Sequence, residues 1–270
     1  MNEFSYIYIT KILFLTIYNF ITIYIYMENN KIKLEKISIL IPTYGRRKFT
    51  PLIMNNLIRL NYPKQLLEVI IYDDHPTEPH FKDECEREYF EKCVGIKTRY
   101  IYKPEKHLTI GDKRNKMIKL ANHKYLYNMD SDDIYYSNCI LYSLIQLKKN
   151  KVGLVGSAQM LFVFPHYDWK VTGIRCNQKR LLHEGTMMFT KKHWKQMGGF
   201  STTGYGEGCK LIDNFEKNVI DLDITHIMVC VCHNENSVPK DRFNNGDATN
   251  LGDIDQESKH ILSKIFDIKI

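Results

Sequence analysis

A chain of 270 residues with 44% hydrophobic and 26% charged side chains can bury one good core, which excludes a disordered polypeptide and points to one large α/β domain. Its formal charge of +7 is scattered, and short basic groups such as Lys148-Lys149-Asn150-Lys151 read as solvated helix ends; this excludes a nucleic-acid footprint but suits a phosphorylated small substrate. Seven cysteines without a CxxC pair argue against zinc and for a reduced, cytoplasmic-type chain, with Cys230 and Cys232 as small buried thiols.

The chain opens on an apolar stretch. Ser5 to Tyr26 is nearly all aliphatic or aromatic, interrupted by Lys11, and its length suits a membrane span of roughly 20 residues. It lacks the basic start and small-residue cleavage site of a secretory signal. Three readings stand: a translated leader ahead of a true start at Met27, a membrane anchor, or a peripheral segment. Heavy use of Ile, Tyr, Asn and Lys suggests an AT-rich genome, such as that of a large DNA virus, in which such runs arise by chance. Residues 1–30 are therefore set apart. The domain is expected over residues 31–245, followed by a polar tail, 246–270, with a helix from Gln256.

Lys36–Ile41 is a β-branched run that predicts a buried strand, stopped by Pro42-Thr43-Tyr44-Gly45 and followed by Arg46-Arg47-Lys48. Thr50-Pro51 starts a helix with Leu52, Ile53, Leu57 and Leu60 on one face. Leu67–Tyr72 predicts a second strand, closed by Asp73-Asp74-His75-Pro76, and Thr98–Tyr102 a third, with an exposed acidic helix between them. Ile110–Ala121 has helical spacing, with Gly111 allowing close backbone approach and Arg114 in the anion-friendly first turn. Lys124–Met129 predicts a strand, and a helix follows through about Leu147. Val152–Gly156, Met160–Phe164 and Ile227–Cys232 predict further strands, and Tyr205–Cys209 opens another helix. Strands alternating with helices, with turn residues and carboxylates at the strand ends, describe an open, mostly parallel twisted sheet that binds ligands at its carboxyl edge.

The organising stretch is Asp130-Ser131-Asp132-Asp133, three carboxylates within four residues. In an extended backbone Asp130 and Asp132 share a face while Asp133 points back. Two same-facing carboxylates repel unless a cation lies between them, and Mg²⁺ or Mn²⁺ takes oxygen ligands while also gripping phosphate. The plainer alternative is an acidic turn capping the next helix.

Taken together, ILIPTYGRR, VIIYDDHP, IGDKRNKMIKLA, YLYNMDSDD, HEGTMMFTK and GGF, in this order across residues 36 to 240, resemble the GT-A glycosyltransferases of the family 2 type. The resemblance implies a Rossmann-like half for a nucleotide-sugar donor, UDP-linked by first choice, and an acceptor half for a glycan, protein or lipid hydroxyl. Carried over, Pro42, Thr43, Tyr44 and Arg46 line the nucleotide site, and Asp73 or Asp74 bonds the base or ribose. Gly111, Arg114, Asp130 and Ser131 also face the nucleotide. A divalent cation falls to Asp130, Asp132 and His233, with Asp132 as the main ligand. The family's base comes from an acidic pair after GGF, but that place reads Gly206-Glu207-Gly208. Glu207 is the expected general base and Glu184 the alternative. The resemblance also implies an inverting outcome. Rival readings are a sugar-1-phosphate nucleotidyltransferase, which wants a glycine-rich phosphate loop, and a non-catalytic nucleotide-sugar or glycan-binding module.

Overall fold

Two continuous apolar runs form the centre of the main sheet. β1 (Ile37–Thr43) and β2 (Leu67–Asp73) are buried at every position, as strands covered on both faces must be. β1 pairs in parallel with β2 and with β4 (Tyr125–Asn128), and β2 with β3 (Lys97–Tyr102). Beyond β4, the strand β9 (Met188–Thr190) runs antiparallel between it and β6 (Leu154–Gly156), and β10 (Val219–Asp221) closes the edge parallel to β6. The order is β10-β6-β9-β4-β1-β2-β3, an open and largely parallel sheet. A second sheet orders β12 (Asp247–Ala248), β8 (Lys170–Arg175), β7 (Gln159–Phe164), β11 (Met228–Val231) and β5 (Ile134–Tyr135).

These elements come from a computed structural model that describes residues 33–175, 181–202, 206–212, 218–236, 238–245, 247–248 and 254–269. The apolar stretch 5–26 and Tyr205 lie outside the described residues, among which no helix is long and apolar enough to cross a membrane. Residues 36–270 form one compact unit.

Among the described residues the α-helices are α1 (Thr50–Arg59), α2 (Glu84–Val94), α3 (Ile110–Leu120), α4 (Cys139–Lys149), α5 (Lys191–Gln196) and α6 (Gln256–Phe266). α3 is capped by the Thr109 side chain, which accepts from the Asp112 amide, satisfying a donor that the helix itself leaves unpaired. It buries Met117 and Ile118 with Leu40, Ile70, Leu126, Phe189 and Phe200. Each such side chain contributes about 1.5–3 kcal/mol, which fixes the first turn of α3 beside the ends of β1 and β4. The expected terminal helix from Gln256 is α6. It docks on α1 through Arg59–Asp255 (2.7 Å) and the fully buried Leu262.

Two expectations are corrected. The acidic residues are not an extension of β4, which ends at Asn128; positions 131–133 form a turn before β5. The helix expected from Tyr205 to Cys209 is, over its described part, a short 3-10 helix, Glu207–Leu211.

Candidate active site

Three adjacent strands deliver the candidate residues to one edge. β1 ends in Pro42 and Thr43, β2 ends in Asp73 with Asp74 next to it, and β4 leads into the acidic turn. Beyond β1 the Tyr44 ring stays 42% exposed. It is flanked by His75 and His107, with ring centroids 4.6 and 4.7 Å away, and Lys113 Nζ lies 5.1 Å from its centroid. An exposed aromatic face beside a cation suits a stacked nucleobase. The Thr43 hydroxyl is buried without a partner among the described residues.

Both carboxylates at the end of β2 are held by the protein. Asp73 accepts from the His75 and His80 amides (3.1 and 2.7 Å) and the Tyr100 hydroxyl (3.0 Å). Burial nevertheless pushes its carboxyl above the ordinary value. Asp74, fully buried, accepts from the Leu108 amide (2.6 Å) and pairs with Lys113, which also donates to the Thr43 carbonyl (3.0 Å). The sequence reading passed over Lys113. Its signal was its place on the same helical face as Ile110 and Met117, a position a lysine occupies only when paired.

Arg114 is the centre of a second cluster. It is 2% exposed; Nη2 donates to Asp130 Oδ1 (2.9 Å) and Nε to Glu207 Oε1 (3.3 Å), while Nη1 has no partner among the described residues. Gly111 does permit a close approach, but by protein: a Cβ there would lie 1.8 Å from the Ser201 carbonyl oxygen. That contact draws the Glu207 turn against α3. Glu184 Oε1 accepts from the Gly208 amide (3.0 Å). Burial, then the charge of Glu207, push the Glu184 carboxyl up to about 7.

The members of the acidic turn diverge. Asp130 goes to Arg114. Asp132 Oδ2 lies 3.0 Å from His233 Nε2 and also pairs with Arg46. Asp133 accepts from the Val231 amide (2.9 Å), and burial with the charges of Asp132 and Asp130 pushes it well up. Ser131 is buried between them. For Asp132, burial works upward, yet His233 and Arg46 hold it below the usual carboxylate range. The three expected cation ligands are thus a pair plus one: Asp132 with His233, and Asp130 apart. Among the described residues no group of three His, Cys, Asp or Glu side chains closes on one point.

A clasp covers this pair. Arg46 also donates to the Glu235 carbonyl, Lys48 pairs with Glu235 (2.5 Å), and the His233 ring packs against both Phe49 (4.9 Å) and Phe266 (5.6 Å), whose own centroids are 5.9 Å apart. The part played by α6 through Phe266 was not visible in the sequence, because nothing in a helix's own periodicity names its distant partner. Cavities of about 660 Å³, between β7, β8 and the end of β10, and about 460 Å³, between α1 and α2, contain none of the expected site residues.

An open, largely parallel sheet thus carries an aromatic platform, the buried Lys113 and Arg114 and an acidic turn at its carboxyl edge. The model of the family Glycosyl transferase family 2 matches residues 38–212, and the chain belongs to that family. Among solved structures, it is similar to the mannosyltransferase PcManGT from Pyrobaculum calidifontis in complex with GDP-Man and Mn²⁺, at 15% identity and a TM-score of 0.58, over 87% of this chain and 70% of that one. It is similar to S. aureus TarS 1-349 at 15% identity and a TM-score of 0.56, over 73% of this chain and 60% of that one. TarS 1-349 in complex with UDP-GlcNAc aligns at 15% identity and a TM-score of 0.56, over 86% of this chain and 71% of that one. Likeness at this identity shows the fold. No curated protein matches the sequence.

Proposed function

We propose that this glycosyltransferase takes a sugar from a nucleotide-sugar donor, UDP-linked by first choice, and passes it with inversion to a hydroxyl of a glycan, protein or lipid, using Mn²⁺ or Mg²⁺. The observation that carries the reading is the convergence of Tyr44, Asp74–Lys113, Asp130–Arg114 and Asp132–His233 at the ends of β1, β2 and β4. Solved relatives in fold carry UDP-GlcNAc, or GDP-Man with Mn²⁺, which supports the donor class and the cation.

The residues fit such a cation. Asp132 Oδ2 and His233 Nε2 are 3.0 Å apart, the spacing of neighbouring ligands on a six-coordinate ion with bonds of about 2.1 Å. Carboxylate and imidazole would hold it, and donor phosphates would complete its shell. When bound, it would supply Lewis acidity to the departing diphosphate.

The protein's own groups do the rest. Tyr44 stacks the base, with Pro42 and Thr43 beneath it and Asp73 and Asp74 setting the pocket's polar edge. Asp130, held by Arg114, faces the ribose. Arg46 and Arg114 offer positive charge where the leaving group develops negative charge. A carboxylate of the Glu184–Glu207 pair takes the acceptor's proton. Residues 5–26 would supply any membrane association.

The test is a thermal-shift screen of UDP- and GDP-sugars with Mn²⁺, followed by product analysis. Cation-dependent release of nucleoside diphosphate is expected. Pyrophosphate release would favour the nucleotidyltransferase reading, and binding without turnover the non-catalytic module.

A further inference from the structure

The turn after Gly198-Gly199-Phe200, where the sequence reading seeks the base, holds a single carboxylate. That carboxylate, Glu207, is 4% exposed, is engaged by Arg114 (3.3 Å), and lies with its Cβ 3.2 Å from where a Cβ on Gly111 would stand. Its neighbour Gly208 leaves a gap that another element fills. A Cβ on Gly208 would lie 2.8 Å from Glu184 Cγ and 3.0 Å from its Oε1, and the Gly208 amide donates to that same oxygen at 3.0 Å. On the other side of Glu184, a Cβ on Gly185 would lie 2.6 Å from Asp130 Oδ2. Glu184 is therefore one residue from the carboxylate assigned to the donor, inside space that a side chain at 208 would occupy.

We propose that Glu184 is the catalytic base, admitted to the site by the glycine at 208, and that Glu207 is a positioning residue that holds Arg114. This rests on the donor reading above. The Gly208 amide fixes Oε1, leaving Oε2 to accept the proton of the acceptor hydroxyl. As that O–H bond breaks, the hydroxyl oxygen bonds the anomeric carbon. The bond from that carbon to the diphosphate oxygen breaks, and its electron pair leaves on the diphosphate. Glu207, Arg114 and Asp130 are the charged groups around Glu184. A carboxyl brought to about 7 by burial and a like charge is well matched to proton abstraction near neutrality.

The experiment follows nucleoside diphosphate release from UDP-GlcNAc or GDP-Man, whichever the screen shows to bind, with water as acceptor. Glu184→Gln should lose roughly 10²–10⁴-fold in turnover with unchanged donor affinity. Glu207→Gln should lose less and weaken donor binding as well, because it loosens Arg114. The decisive variant is Glu184→Ala with Gly208→Asp, which returns a carboxylate from the opposite side of the same gap; the remaining neighbour, Met187 Cε at 2.8 Å from a Cβ there, is a flexible end that can shift. It should recover at least about tenfold over Glu184→Ala, an outcome that a merely structural Glu184 would not produce, whatever the stability of Glu184→Gln. Near-normal turnover in Glu184→Gln, a larger purely catalytic loss in Glu207→Gln, or no recovery in the double variant overturns the assignment. A wild type that binds no nucleotide sugar sinks the donor reading, and Glu184's role with it.

Discussion

Asp132 sits 14% exposed between Arg46 and His233, so each neighbour has a measurable consequence. Asp132→Ala should abolish the Mn²⁺ dependence of nucleotide binding while the fold survives; unchanged nucleoside-diphosphate affinity in Mn²⁺ would remove the cation assignment. Arg46→Ala leaves a largely desolvated carboxylate with one partner fewer. Loss of stability of about 1–3 kcal/mol is expected in EDTA, partly restored by Mn²⁺ because the ion binds only the folded state. Equal melting of wild type and variant in EDTA would contradict this. Glu184 adds a pH signature. Its folded value of about 7 lies above the unfolded carboxyl's ~4.3, so the folded protein holds the extra proton between those values. Its contribution to stability is full below the unfolded value and is lost as pH rises through 7. Urea unfolding at pH 5 and pH 8 should show wild type falling relative to Glu184→Gln by on the order of 1–3 kcal/mol. Turnover should rise over the same interval, as the carboxylate forms.

Among elements, α6 shows how a remote helix reaches the site. Leu262 is fully buried and Phe266 lies 5.6 Å from the His233 ring. Leu262→Ala should cost about 2–5 kcal/mol and raise the Mn²⁺ requirement for donor binding, since the clasp loses its outer support. Destabilisation without any change in Mn²⁺ dependence would confine α6 to a packing role. The elements also mark what a sequence reading can reach. β1, β2 and β4 were legible because doubly covered strands are uninterrupted apolar runs, and α3 because its buried face keeps helical spacing. β10, at three residues, is too short to display a period, and the strand Lys170–Arg175 carries charge and glycine that blur its alternation. The acidic turn was misjudged in direction for a definable reason. Alternation holds only while the backbone is extended, and it ends at Asn128. The identities of Asp130, Asp132 and Arg114 were readable locally; their pairings with Arg46 and Glu207 are fixed by tertiary packing.

At the scale of the whole molecule, the match to family 2 ends at residue 212, whereas His233, Glu235 and α6 follow it. The clasp joins the segment after β1 to the turn after β11, residues 187 apart between Arg46 and His233. Closing so long a loop is entropically slow compared with pairing β1 to β2. The order of refolding follows. The parallel sheet around β1 should acquire its signal first, and the competence to bind a cation-dependent nucleotide should return later, when β11 and α6 dock. Stopped-flow refolding followed both by far-ultraviolet circular dichroism and by a fluorescent nucleotide with Mn²⁺ should resolve two phases, and coincident phases would contradict this order. A nascent chain would therefore present its aromatic platform before it could hold the donor's phosphates, so catalytic competence is a property of the finished chain.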